Sequence, residues 1–363
     1  MWPDRRLLDL FKIEHPIVLA PMAGAVDAAL VIAVAESGGL GSLPVALFNE
    51  QQVREQMAKI RAATRKPVNL NFFCHTPPVP SNAREHAWRE ALKPYYVELG
   101  IDPAAPVPSS NRTPFDAAFC SAVEEIKPEV VSFHFGLPEA SLLKRVKAAG
   151  CVVMSSATTV AEARWLEANG CDVVIAQGYE AGGHRGMFLT DNLATQVGTF
   201  ALVPQIVDAV KVPVIAAGGI TDARGIVAAL ALGASCAQVG TAYMFCPESI
   251  IRPPHRAALN NARDDGTDDG TVVTNLLTGK PARGFINRVM RELGPISDIA
   301  PEFPLAGGAL APLGAKAQAL DSGDFSTMWA GQAAALGREM PARELTAKLV
   351  TETLVLMQRM AGG

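Results

Sequence analysis

Short apolar runs of strand length recur along the chain, each followed by a segment with the three-to-four-residue apolar spacing of a helix. The runs are Pro16–Ala20, Gly39–Leu43, Val68–Phe73, Val130–Phe135, Val152–Ser156, Val173–Gln177, Val214–Ala217 and Ala237–Thr241. Several are apolar almost throughout, which suits parallel strands covered on both faces. The spacing predicts helices over about 26–37, 50–63, 115–127, 139–149, 159–169, 196–210, 222–232 and 341–360, one after each strand. Eight alternating units predict an α/β chain closed as a (β/α)8 TIM barrel, since an open doubly wound sheet usually has fewer strands. A chain of 363 residues suits such a barrel with one or two long insertions.

Two connections exceed the usual βα loop. One runs from His75 to Pro114 and holds an amphipathic piece around Ala83–Leu99; the other runs from Cys246 to about Pro341. The second reads as a small insertion domain between strand eight and the last helix. The expected organisation is therefore a barrel over 1–245 and 335–363 with a substrate-covering domain over 246–334. Both connections follow the carboxyl end of a strand, the face on which barrel active sites form.

Composition narrows the function classes. With 49% hydrophobic and 19% charged residues and a formal net charge of −4, the chain has material for a large core and no broad positive field. Nucleic-acid binding is not expected. The uncharged stretch Ile226–Phe245 is long enough to span a bilayer. Gly233, Ser235, Gln238 and Gly240 interrupt it, so it reads as helix, turn and strand in the barrel wall. Six cysteines without CxxC or short Cys/His spacing point to neither zinc nor a disulfide framework, and a cytoplasmic location is expected. The acidic run Asp264–Gly270 lacks the terminal Glu of a calcium loop and reads as a solvated turn.

Candidate chemistry gathers at strand ends. Ala216-Ala217-Gly218-Gly219-Ile220-Thr221-Asp222 follows strand seven, and Gln238-Val239-Gly240-Thr241 ends strand eight. Barrel enzymes often bind phosphate there, on backbone N–H groups that glycines expose, although tight turns alone would use glycine too. Neither GxGxxG nor a Walker pattern occurs. After strand six comes Gln177-Gly178-Tyr179-Glu180-Ala181-Gly182-Gly183-His184-Arg185-Gly186, which places His184 in a glycine-rich loop suited to a partly desolvated base. Glu180 and Arg185 could orient its ring or be solvated loop charges. At strand four, period-two alternation sends Ser132 and His134 toward the barrel mouth and Phe133 and Phe135 outward. His134 could equally be a satisfied core histidine. Asn69 and Asn71 alternate with apolar neighbours in strand three, where an inward amide could bond a flavin or pyrimidine ring. His15, His75, His86 and His255 read as structural, with His75 the exception to watch. Ala20-Pro21-Met22-Ala23-Gly24 would let a flat ring lie against the backbone.

Taken together, Ala20–Gly24, Glu180–His184, Ala217–Ile220 and Gln238–Thr241 resemble the ordered motifs of the nitronate monooxygenase family. Ser132-Phe133-His134-Phe135-Gly136 and Asn69–Phe73 resemble its class I, and Trp329-Ala330-Gly331-Gln332 is similar to its Gly-Gln element. The resemblance implies FMN held by Met22, Asn71, Gln177, Gly182, Gly218, Gly219, Gln238, Gly240 and Thr241, with His184 and His134 catalytic. It implies oxidation of an alkyl nitronate, such as propionate 3-nitronate, with O2 to an aldehyde and nitrite. Phe303, in Pro301–Pro304, falls where some relatives carry an aromatic residue beside the substrate. Three of the motifs are shared with NAD(P)H-dependent FMN reductases acting on quinones or enoyl thioesters, which form the alternative. A non-catalytic FMN- or phosphate-binding protein is a third reading. The apolar pattern does not specify an oligomeric state.

Overall fold

The apolar runs become strands buried on both faces. In the computed structural model, which describes residues 2–108, 112–263 and 270–362, they are β1 (Ile17–Leu19), β2 (Gly41–Pro44), β3 (Val68–Phe73), β4 (Val130–His134), β5 (Val152–Ala157), β6 (Val173–Gln177), β7 (Val214–Ala217) and β8 (Cys236–Val239). All pair in parallel, in the order β2-β3-β4-β5-β6-β7-β8-β1. The ends meet: Leu40 bridges Val18, donating its N–H to the Ile17 carbonyl and accepting the Leu19 N–H, both at 2.9 Å. The sheet is thereby drawn round into a barrel.

Eight helices form the outer ring, Ala28–Glu36, Glu50–Ala63, Ala117–Ile126, Ala140–Ala148, Val160–Ala168, Thr199–Ala209, Ala223–Ala231 and Ala342–Ala361. Five begin at a side chain that caps the free backbone N–H groups: Asp27, Asn49, Asp116, Thr159 and Asp222. Each such cap contributes about 1 kcal/mol and fixes where the loop ends and the helix begins. The last helix packs against the first and the seventh, completing the ring. The stretch from Ile226 to Phe245 divides as its glycines require, into helix, turn, strand and a short helix from Thr241. No helix among the described residues is long and apolar enough to cross a membrane.

The barrel interior is polar on one side. Asn69, Asn71, Ser132, Ser155 and Ser156 are buried on β3 to β5, and Asn69 and Asn71 both donate to Ser132 Oγ, at 2.9 and 2.8 Å. Phe72 and Phe133 point outward onto Phe115, as alternation requires. Phe135 does not follow them. Its φ of 70° lies in the left-handed region, which breaks the alternation and swings its ring back over the mouth, 4.5 Å from His134 and 5.0 Å from Phe73 between ring centroids.

Above the mouth lies a second apolar core that draws on both long connections. Trp88, Leu92, Tyr95 and Tyr96 of the helix Asn82–Glu98 pack with Leu276, Leu310, Leu313 and Phe325. A three-stranded antiparallel sheet links this cover to the barrel: Thr271–Thr274 pairs with Ala282–Phe285, which pairs with Gly183–His184. The run at 264–269 lies outside the described residues.

Trp88 is 1% exposed and donates its indole N–H to the Ala306 carbonyl at 3.1 Å. Trp88→Ala should therefore cost about 3–5 kcal/mol in denaturant unfolding. A loss below about 1 kcal/mol would mean that the cover does not depend on this core.

Candidate active site

The carboxyl ends of the strands open into one cavity of about 640 Å³. Met22, Asn71, His134, Gln177, Gly182, His184, Gly218, Gly219, Gln238, Gly240 and Thr241 all line it. Residues as far apart in sequence as Met22 and Thr241 thus converge because each ends a barrel strand or lies in the loop that follows one.

The His184 loop is held from both sides. Its carbonyl oxygen accepts from His134 Nε2 at 3.1 Å and from Gln177 Nε2 at 2.9 Å, while Gln177 Oε1 accepts the Gly186 N–H at 2.7 Å. Because His134 Nε2 must donate to a carbonyl, the neutral ring has its lone pair on Nδ1, which accepts from the Ser156 hydroxyl. Both nitrogens of His134 and both ends of the Gln177 amide are therefore committed to protein partners. On the far side Gly183 and His184 pair with Arg283 and Ala282. Gly182 permits a further close approach, since a Cβ there would stand 2.6 Å from Ala330 C and Gly331 N.

His184 Nε2 lies 2.9 Å from Thr278 Oγ1, and Nδ1 opens to the cavity. The rings of Phe73, Phe135, Phe303 and Trp329 surround the imidazole with centroids 5.2–5.9 Å away. Burial in this cage pushes His184 well below the ordinary histidine range, and the charges of Arg112 and Lys280 push the same way, as do His134 and His75. Burial likewise brings His134, His75 and His255 down to about 4. The site histidines are thus neutral at pH 7.

Glu180 and Arg185 serve neither role considered from sequence. The Glu180 carboxylate accepts from the N–H and hydroxyl of Thr199, and the fully buried Arg185 donates to the Gly178 and Gln177 carbonyls and to Gln196. Thr199 also adjoins Gly218, whose carbonyl accepts its hydroxyl at 3.0 Å. Asp222 caps the helix after β7, whereas Thr221 donates to the Ala333 carbonyl at 3.2 Å and Thr241 Oγ1 accepts the Gly331 N–H at 2.9 Å. Segment 331–333 is thereby tied over the glycine loops.

Fit to a flavin phosphate and ring can be judged on the walls alone. Gly218 and Gly219 have φ of 113° and 71°, a left-handed pair that turns backbone toward the cavity and that side chains rarely adopt. Gln238 Oε1 is buried in the wall with no partner among the described residues, an acceptor awaiting a donor. Both features suit the cofactor expected from sequence. Among the described residues no Asp or Glu lines the cavity, while Arg112 and Arg252 do.

A family model described as nitronate monooxygenase matches residues 4–352. The chain belongs to the nitronate monooxygenase family. A nitronate monooxygenase from Paraburkholderia phytofirmans is 44% identical over 96% of this chain and 94% of its own. A nitroalkane oxidase structure from Streptomyces ansochromogenes superposes with a TM-score of 0.87 at 34% identity, covering 98% and 99% of the two chains. A FabK structure from Thermotoga maritima gives 0.73 at 27% identity, covering 98% of each.

Four members of this monooxygenase's site escaped the sequence reading. Thr278 and Arg112 sit in the long connections without a motif, His255 lines the cavity while bonding the Trp329 carbonyl at 3.0 Å, and Phe135 reaches the mouth only through its left-handed turn. His75 is buried against Phe303, ring centroids 4.8 Å apart, behind the cavity wall.

A histidine kept neutral by burial binds its proton more readily when unfolded. Its stabilising effect is complete above the unfolded value of about 6.5 and is lost as pH falls through the window down to about 4. The melting temperature should accordingly drop between those limits. His255→Gln, which retains a donor for the Trp329 carbonyl, should make the drop shallower; an unchanged slope would remove His255 from the set.

Proposed function

We propose that this enzyme is an FMN-dependent nitronate monooxygenase that uses O2 to convert alkyl nitronates to a carbonyl compound and nitrite. The observation that carries the reading is the neutral His184, fixed through its backbone with one ring nitrogen facing a cavity whose described walls carry arginine and no carboxylate. Membership of the family supports it. When bound, FMN would accept the substrate's electrons and pass them to O2. Gly218, Gly219, Gly240 and Thr241 would hold its phosphate, and Met22, Asn71, Gly182 and Gln238 its ring. Gln177 would touch the ring only along its edge, because its amide is already engaged. Six free thiols fit a reducing cytoplasm as the place of action.

His184 is the catalytic residue in this reading, and His134 positions it. Thr278 sets which form of His184 faces the substrate. Its hydroxyl oxygen lies 2.9 Å from His184 Nε2 and 3.4 Å from the Lys280 carbonyl. With the hydroxyl proton turned to that carbonyl, Nε2 donates to Thr278 and Nδ1 presents a lone pair, a base for the α-proton of a nitroalkane. With it turned to Nε2, Nδ1–H faces the cavity and donates to an anionic nitronate oxygen. One hydroxyl rotation serves both substrate forms.

His184→Asn should retain FMN and lose about 10²–10⁴-fold in turnover; full activity in that variant would remove His184 from the mechanism. Thr278→Val should lower kcat/KM about tenfold and alter its pH profile, with Thr278→Ser restoring both. Wild-type behaviour in Thr278→Val would show that the hydroxyl is dispensable.

The likeness to FabK favours one second reading, an NAD(P)H-dependent FMN reductase on the same barrel. Anaerobic mixing separates the two. Nitronate alone should bleach the flavin and NADH or NADPH should not; rapid bleaching by either nucleotide without nitronate turnover would overturn the monooxygenase reading.

A further inference from the structure

Two amides meet one hydroxyl inside the barrel. β3 sends Asn69 and Asn71 inward, and the parallel register sets Asn71 opposite Ser132 of β4. Ser132 Oγ accepts from Asn69 Nδ2 at 2.9 Å and from Asn71 Nδ2 at 2.8 Å, which fills both of its lone pairs. Asn71 Nδ2 also lies 3.4 Å from the Ser132 carbonyl oxygen. That second approach settles which end of the amide faces β4, since an amide oxygen placed there would be repelled by the carbonyl.

The other flank of Asn71 offers no hold on the amide. Its register partner on β2 is Pro44, which brings an apolar ring to the cavity wall, and the Val45 N–H at 2.9 Å takes the Asn71 backbone carbonyl. With its nitrogen committed to Ser132, Oδ1 is the atom that Asn71 turns to the cavity. Three strands round the ring, Gln238 Oε1 is a second amide oxygen on the same wall. The space assigned to the flavin ring is thus met by acceptors. Ser132, fully buried, acts from behind that wall.

The sign of this polarity bears on electron transfer. An oxidised isoalloxazine carries one ring N–H, which an amide oxygen accepts, while its other polar edge atoms are acceptors that an amide N–H would bond. Reduction adds negative charge to those edge atoms, so an N–H aimed at them favours the reduced form and an oxygen does not. We infer that Ser132 is a positioning residue for the cofactor: by locking Asn71 with its oxygen toward the cavity, it tightens the hold on FMN and keeps the reduction potential low, which favours the passage of electrons to O2. The inference rests on the proposed FMN and deepens that reading of the site.

Two quantities measured on the FMN-loaded protein read this orientation. They are the midpoint potential, by equilibration with a reference dye, and the FMN dissociation constant, from the fluorescence of flavin released on dilution. In Ser132→Ala the Asn71 amide loses its anchor, so the potential should rise by about 30 mV, a tenfold change in the two-electron equilibrium, and FMN should bind about five- to tenfold more weakly. Ser132→Cys keeps the volume but offers only a weak acceptor, and should move both values the same way. Asn71→Leu removes the oxygen and should also weaken FMN. Adding Ser132→Ala to that variant should change neither quantity further, because Ser132 then has no amide to orient. Additive shifts in the double variant would reduce Ser132 to a packing residue and overturn the assignment, as would unaltered potential and affinity in the two Ser132 variants. Should the unaltered protein take up no FMN, the inference and the proposed function fall together. Should it hold FMN yet oxidise no nitronate, only the proposed function falls, and the potential and affinity still decide Ser132.

Discussion

The site depends on one carbonyl oxygen. The His184 C=O accepts from His134 at the end of β4 and from Gln177 at the end of β6, so two barrel strands fix the backbone of a loop that would otherwise be free to move. A buried carbonyl with two donors is expensive to displace. The same two residues have little else to give. His134 spends Nδ1 on Ser156, Gln177 spends Oε1 on Gly186, and the cover sheet takes the other edge of the loop at Ala282 and Arg283. Removing any one partner would free the imidazole to tilt. Burial holds His134 neutral, and with Nε2–H given to the carbonyl its Nδ1 lone pair takes the Ser156 hydroxyl proton.

Acidic residues near this face are turned away from the cavity and used on backbone. Glu180 caps Thr199, and the fully buried Glu162 accepts from the N–H groups of Phe188 and Leu189 and from Thr158. Each carboxylate is satisfied by fixed N–H dipoles, so the loops after β5 and β6 are rigid without any acid entering the described cavity wall. A wall built this way tolerates an anion. The arrangement also explains why Arg185 could be buried beside the reacting loop: it holds the Gln177 and Gly178 carbonyls from behind and brings no fork into the pocket.

The barrel was legible because its signals are local and repeated. Apolar runs such as Val173–Gln177, capping residues such as Asp222, and glycines at strand ends each report on backbone within a few residues, and eight repetitions leave little choice of topology. Period-two reasoning placed Asn71, Ser132 and His134 correctly and failed one residue later at Phe135, because alternation holds only while φ stays in the β region. Thr278 and Arg112 were illegible for a different reason. A lone hydroxyl 94 positions from its histidine has no periodic signature, and the strand that carries His184 is two residues long, paired with a partner about 100 positions away. Glu180 and Arg185 read from sequence as orienting the ring or as solvated loop charges and are neither, because their partners Thr199 and Gln196 lie further along the same connection, 19 and 11 positions away, where spacing does not assign them.

Two demands on the proposed chemistry pull against each other. An anionic nitronate is drawn in by positive charge, while a histidine that must accept a proton at neutral pH has to remain uncharged itself. A single imidazolium could not meet both. Here they fall to separate groups: aromatic burial keeps His184 neutral, and the positive charge sits on Arg112 and Lys280, close enough to be felt at the ring. Those cations reinforce the burial, since each lowers the proton affinity of His184 further. The field that would favour an anionic substrate is therefore the field that keeps the base unprotonated, and the cover, which supplies both Phe303 and Lys280, acts on the reaction even though the barrel carries the histidine.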